Sequence, residues 1–378
     1  MCAIPTGTET RSAAAEPGRI AAAHRWIHLP QSRGRRVLFI GLYLAFCWGL
    51  VQMGAKLLWS VRGGVPINET AQIWDVYYPE LRKSGVGEAH PRRADDRFDV
   101  LMLGGSVLEP EWGTIAEDLA RNLHSELGDR FRIFNLARAA HTSRDSLLKY
   151  SHLAGKEFDL VIVYDGINDV RMNCCPRESF RDDYSHCGWY RGIERRLSAG
   201  KMALPISLNE QFELVRDTIP LTVPDEAQRE HGRDIKTARA LRRNFEEILG
   251  QARARGDCVL LSTFACDIPA DYTRERFSQH RLAYDDSNDA FICEAEMWGN
   301  FENVIAAVAA QNEAIRELAA ARPEVLFVDQ DELMPKQKRL FVDPCHLAGA
   351  GCRQFVENLW PKVEERLDGW KRTVAARH

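Results

Sequence analysis

The chain has 378 residues, which leaves room for two domains at most, or one large domain with appendages. Hydrophobic residues make up 45% and charged residues 28%, a globular balance that excludes a disordered, collagen-like or multi-span membrane protein. With 50 Lys and Arg against 54 Asp and Glu, the formal net charge is −4, and no basic surplus points to nucleic acid as a partner.

Residues 37–55, VLFIGLYLAFCWGLVQMGA, contain no charge, and Gln52 is their one strongly polar side chain. The apolar run, extended to Trp59, is long enough to cross ~30 Å of hydrocarbon as a helix. Residues 1–36 carry Arg11, Arg19, Arg25, Arg33, Arg35 and Arg36 against Glu9 and Glu16 alone. By the positive-inside rule this basic segment is cytoplasmic, residues 37–59 are a single transmembrane helix, and the rest is periplasmic or extracellular. A cleaved signal peptide is the rival, but the run exceeds the usual apolar core of one and no small-x-small site follows it. A buried helix of a soluble domain is disfavoured because nothing amphipathic interrupts the run. Eight cysteines lie beyond the span (Cys174, Cys175, Cys187, Cys258, Cys266, Cys293, Cys345, Cys352), where an oxidising environment would let them pair, with no connectivity readable. Asn68-Glu69-Thr70 is a glycosylation sequon, with meaning only in a eukaryotic secretory route.

Residues 60–97 mix Gly, Pro and charge and read as a stalk or an edge-packing approach segment. A regular pattern follows over 98–370. Apolar runs suited to buried strands occur at Phe98–Leu103, Phe131–Leu136, Phe158–Tyr164, Cys258–Thr263 and Val325–Val328, each followed by helical spacing. Such alternation predicts an α/β fold, a flavodoxin-like, doubly wound, mainly parallel five-stranded sheet behind the N-terminal helix. Thr114 with Glu117 predicts a capping box for a helix that Gly128 stops, and Thr237–Arg255, Phe301–Ala320 and Ala348–Leu367 read as further helices. Between Val170 and Asp234 the pattern fails, and this insertion is a candidate lid or substrate wall; Asp267–Asn300 is a second.

Three short blocks carry chemistry. The first strand ends in Gly104-Gly105-Ser106, which places a hydroxyl where strand gives way to helix, as an exposed nucleophile requires. A structural turn serine is the plain alternative. The third ends in Gly166-Ile167-Asn168-Asp169, and in the strand order 2-1-3-4-5 the first and third strands flank the switch point, so Ser106 and Asn168 face each other there. The Asn168 amide would donate to a developing oxyanion. Asp343-Pro344-Cys345-His346 precedes the last helix, and two such residues three apart suit a general base and its orienting carboxylate. A metal at Asp343, Cys345 and His346 is the rival use, discounted because no second ligand pair has zinc-site spacing.

These blocks, in this order, resemble those of the SGNH hydrolases, also called GDSL-type lipases and esterases, over Phe98 to Leu367. The resemblance implies Ser106 as nucleophile, His346 as base and Asp343 as its partner. It implies an oxyanion hole from the N–H groups of Ser106 and Ala140 and the Asn168 side chain, with no cofactor and no metal. Two positions depart from the family pattern: Ala140 stands where the family has a Gly, and Gly105 where the family name has Asp. A left-handed backbone at Ala140 would be strained. The implied activity is hydrolysis of acyl or acetyl esters outside the cytoplasm, on a glycan or lipid of the cell surface. An O-acyltransferase using the same triad and an inactive binding or assembly module are the alternatives. His124, His141 and His152 are read as surface or packing residues, with His141 near the pocket because it follows Ala140. Trp189 and Tyr190 would either stack on a sugar or shield a loop.

Overall fold

The computed structural model describes residues 33–69, 72–89, 96–198, 222–285 and 292–376. The chain divides into two compact units, residues 1–51 and 52–378. Most of the basic N-terminal segment, Thr70 of the sequon and residues 199–221 of the first insertion lie outside the described residues. The apolar run is helical throughout, within α1 (Arg33–Gly63). Its side chains are not buried: Val37, Leu42, Leu44, Phe46 and Trp48 are all exposed. At 1.5 Å per residue, 31 helical residues exceed the ~30 Å of a hydrocarbon core.

In the second unit, five strands form one parallel sheet: β1 (Phe98–Gly104), β2 (Phe131–Asn135), β3 (Leu160–Tyr164), β4 (Val259–Ser262) and β5 (Leu326–Val328), in the order β2-β1-β3-β4-β5. The expected doubly wound architecture is thus the observed one. Every residue of β1, β3 and β4 is buried, which is why these strands read as unbroken apolar runs instead of alternating ones. The period of two still operates in space. Phe98, Val100 and Met102 join one core cluster while Leu101 and Leu103 join the other.

The first cluster is roofed by α2 (Ile115–Leu127) and α8 (Gly349–Ala375), the second by α3 (Ser143–His152) and α6 (Thr237–Arg255), and α7 (Phe301–Ala320) contributes to both. A short helix, α4 (Ile167–Arg171), leads from β3 into the first insertion, and α5 (Gly188–Ser198) lies within it. Helix α6 ends where expected because Gly256 takes the left-handed conformation, φ +73°, that closes a helix at little steric cost.

Several expectations need correction. Thr114 does not cap α2; its backbone sits at φ −102° and ψ 17°, and its hydroxyl instead donates to Asp118. Of the two readings of residues 60–97, the described part is the packed one and not a stalk: Val65, Ile73, Tyr77, Tyr78, Leu81 and Val86 are buried in the second cluster. The nine described cysteines are all free thiols. Cys258, Cys266, Cys293, Cys345 and Cys352 are packed in or against the first cluster as small apolar groups, and burial pushes Cys266 and Cys293 up to about 12, so neither is a thiolate at neutral pH.

Phe245 of α6 is fully buried among Leu241, Ile248, Val161 and Val163. Phe245→Ala is expected to lower unfolding stability by about 3–5 kcal/mol, read as a shifted denaturation midpoint with unchanged slope.

Candidate active site

All three sequence blocks end at the carboxyl edge of the sheet. β1 delivers Ser106, the first residue of a 3₁₀ turn, Ser106–Leu108. β3 delivers Gly166 and then α4, with Asn168 in its first turn. The segment between β5 and α8 delivers Asp343 and His346, held as a tight loop by the Phe341–Leu347 bridge and the bond from Val342 N–H to His346 O.

The side chains come into contact. His346 Nε2 lies 2.7 Å from Ser106 Oγ, and His346 Nδ1 lies 2.6 Å from Asp343 Oδ2. All three residues are buried. Asp343 also accepts from the backbone N–H groups of Cys293, Cys345 and His346 at 2.8, 2.9 and 2.8 Å. Burial works against its charge, but His346 and these N–H donors outweigh it and hold the carboxyl below its ordinary range. Trp112 stacks on the imidazole with centroids 4.2 Å apart, covering one face of the ring.

Facing Ser106 is the Asn168 amide. Its Nδ2 donates to His141 O at 2.9 Å, and its Oδ1 accepts from Trp298 Nε1 at 3.1 Å. The indole therefore dictates which end of the amide is the donor end and leaves one N–H free of these contacts. A Cβ on residue 105 would stand 2.7 Å from that Nδ2 and 3.3 Å from His141 O, so Gly105 is what lets the amide approach this closely. Neither the Ser106 nor the Ala140 backbone N–H donates to another group among the described residues.

Ala140 takes the strained conformation: its φ is +64°, in the left-handed region. What holds it there is a buried polar cluster. His141 Nδ1 lies 3.1 Å from Lys149 Nζ, and both approach Glu80 Oε1, at 3.5 and 3.4 Å. Burial pushes His141 down to about 4, against the pull of Asp145, so the ring is neutral and accepts from the Lys149 ammonium. Asp145 in turn accepts from Tyr78, Trp189, Tyr190 and the Thr142 N–H. Trp189 and Tyr190 are thus tied into packing rather than presented to a sugar. His124 is exposed beside Asp129, and His152 is exposed and stacked on Trp74.

A cavity of about 400 Å³ opens over Ser106, Asn168 and His346. Its outer wall comes mostly from the second insertion: Phe277, Ser278, Ile292, Cys293, Glu294, Met297 and Trp298. The first insertion supplies Arg171 and Met172. For a metal, the ligand atoms of Cys293, Asp343 and His346 lie within 4.8 Å of one another; Cys293 here replaces the Cys345 of the sequence reading. A cation there would have to break the Asp343–His346 hydrogen bond. Sequence reasoning missed Trp112, Trp298, Cys293 and Arg171, and no local spacing marks them: Trp298 meets Asn168 across 130 residues.

No protein-family model matches the chain, and no curated protein matches it. Solved structures do. An acetyl xylan esterase is 14% identical, with 70% of this chain and 100% of that one covered, at a TM-score of 0.38. A GDSL-like lipase from Bacteroides thetaiotaomicron is 13% identical, covering 77% and 98%, at 0.44. An acetyl xylan esterase from Geobacillus stearothermophilus is 12% identical, covering 70% and 94%, at 0.38.

Replacing Ala140 by Gly is expected to raise stability by about 0.5–1 kcal/mol, because the ~1–2 kcal/mol of left-handed strain exceeds the added flexibility of Gly. Ala140→Val is expected to lower it, and thermal unfolding of both variants checks the sign. Asp165, buried behind Ser106, has no hydrogen-bond partner on either carboxyl oxygen among the described residues. Burial, reinforced by Asp169, pushes it up to about 8 against the opposing effects of the nearby Ser146 hydroxyl and Lys149. Its protonated form therefore stabilises the fold fully below pH ~4, and that contribution is lost as the pH rises toward 8. The melting temperature of Asp165→Asn relative to wild type is expected to climb between pH 5 and pH 8, by about 2 °C or more.

Proposed function

We propose that the protein is a serine ester hydrolase of the SGNH type, anchored in the membrane by α1, with Ser106, His346 and Asp343 as its triad. The observation that carries this reading is the continuous hydrogen-bonded chain from Ser106 Oγ through the imidazole to a buried carboxylate. Because Asp343 can only accept, Nδ1 carries the proton and the Nε2 lone pair faces the hydroxyl.

In the proposed reaction, Ser106 Oγ attacks the ester carbonyl carbon as its proton passes to His346 Nε2. The carbonyl oxygen becomes an oxyanion held by the N–H groups of Ser106 and Ala140 and by the Asn168 amide. Collapse breaks the bond to the alcohol oxygen, which takes the proton from His346, and leaves Ser106 acylated. A water molecule then gives a proton to His346 Nε2 as it attacks the acyl carbon; the bond from that carbon to Ser106 Oγ breaks, Oγ takes the proton back from His346, and the acid is released. The free N–H groups at Ser106 and Ala140 and the stacked Trp112 support these assignments. The basic segment before α1 supports a site outside the cytoplasm, where the substrate would be an acyl or acetyl ester of a surface glycan or lipid.

The detergent-solubilised full chain is expected to react with a fluorophosphonate at Ser106 and to hydrolyse para-nitrophenyl acetate. Ser106→Ala should abolish both, and Asn168→Ala should lose ~10²–10³ in kcat while still folding. Wild-type rates in Ser106→Ala would sink the assignment. If acyl transfer to an added glycan outran hydrolysis, the same triad would belong to an acyltransferase.

A further inference from the structure

Arg171 closes α4, three residues after Asn168, and its side chain lines the cavity that holds Ser106 and His346. The guanidinium is half-buried, and its partners are two carbonyl oxygens, Met297 O at 3.0 Å from Nη1 and Thr222 O at 2.6 Å from Nη2. Carbonyls solvate a cation without neutralising it. Among the described residues no carboxylate lies within ion-pair distance of Arg171, and burial, countered only by the Cys174 and Cys187 thiols, lowers its pKa.

The other charged group on the cavity wall does not fill this role. Glu294 is held by Arg274, whose Nε and Nη2 donate to its two carboxylate oxygens at 2.5 and 2.7 Å. The remaining wall is largely apolar, with Trp112, Met172, Phe277, Ile292 and Met297. Among the described residues, the cavity therefore carries one positive charge without a counter-charge, beside a wall that is apolar apart from the catalytic groups, Ser278 and the paired Glu294. A half-buried cation is ordinarily paired, and a planar guanidinium with unused N–H donors matches a carboxylate in two parallel hydrogen bonds.

We propose that Arg171 is the anion clamp of this site, and that the cavity takes esters bearing a carboxylate, which the guanidinium holds while Ser106 attacks the ester carbonyl. This deepens the hydrolase reading and rests on it. Arg171 is a specificity residue: it binds the substrate's charge and moves no proton.

The test compares kcat/KM within two pairs of esters that differ in charge. Para-acetoxybenzoate against para-acetoxybenzamide puts the carboxylate on the alcohol side, and the para-nitrophenyl hemisuccinate against para-nitrophenyl butyrate puts it on the acyl side. In at least one pair, wild-type protein should favour the charged ester by about tenfold or more, as a charge-assisted hydrogen bond allows, with the preference falling as salt is raised. In Arg171→Gln that ratio should fall about 10–100-fold, and Arg171→Lys should recover part of it. Reading the ratio removes any general loss of activity from releasing Met297 and Thr222. A wild-type ratio near one in both pairs, or a ratio unchanged by Arg171→Gln, would overturn the clamp while leaving the hydrolase reading intact. Turnover of both members that persists in Ser106→Ala would instead overturn the hydrolase reading, and the clamp with it.

Discussion

The structure at the carboxyl edge of the sheet depends on one buried anion. Asp343 is fully removed from water, so its charge must be met by donors from the protein itself. Four are supplied, and each fixes something different. The Cys345 and His346 N–H groups close the loop after β5, the Cys293 N–H ties the second insertion to that loop, and His346 Nδ1 sets the orientation and tautomer of the imidazole. A single carboxylate thus aligns the base, places it 2.7 Å from Ser106 Oγ and anchors the cavity's outer wall.

A second buried cluster does the same for the other side of the site. Glu80, Lys149, His141 and Asp145 lie beneath the turn that carries Ala140, and the Lys149 ammonium and then the Arg138 guanidinium hold Glu80 below its ordinary range against the opposing effect of burial. Removing one partner from such a set leaves an uncompensated charge in the interior, so the cluster resists rearrangement. That rigidity lets an alanine persist at φ +64°, a conformation that a free chain would abandon. Glu80 belongs to the segment before β1, which makes that segment a working part of the domain.

The two insertions differ in what they contribute. The first, where described, turns most of its aromatics inward: Tyr184 and Tyr190 donate to Asp169 and Asp145 behind the sheet edge. The second turns its apolar side chains to the cavity and, through Trp298, orients the Asn168 amide. Both are rich in aromatics and charge, so composition alone does not separate a supporting element from a cavity wall.

Periodicity and turn chemistry act over a few residues, and what they control was legible in the chain: the five strands, the span of α6 and α7, the apolar helix before them, and the nomination of Ser106, Asn168, Asp343 and His346. The Thr114 cap failed within that range because the backbone at 114, φ −102° and ψ 17°, is not the extended one a cap takes. Pairing of the cysteines was a matter of where eight thiols come to rest, and spacing along the chain says nothing of that. Contacts across long stretches of chain settled the rest. Ser106 meets His346 across 240 residues and Trp298 meets Asn168 across 130, while the burial of Glu80 and the sign of φ at Ala140 follow from packing. Sequence by itself determined the local elements and the chemical types available at their ends. Tertiary structure alone decided which of those groups touch, which charges are compensated and which, as at Arg171 among the described residues, are left without a counter-charge, because burial and distance exist only once the chain has closed upon itself.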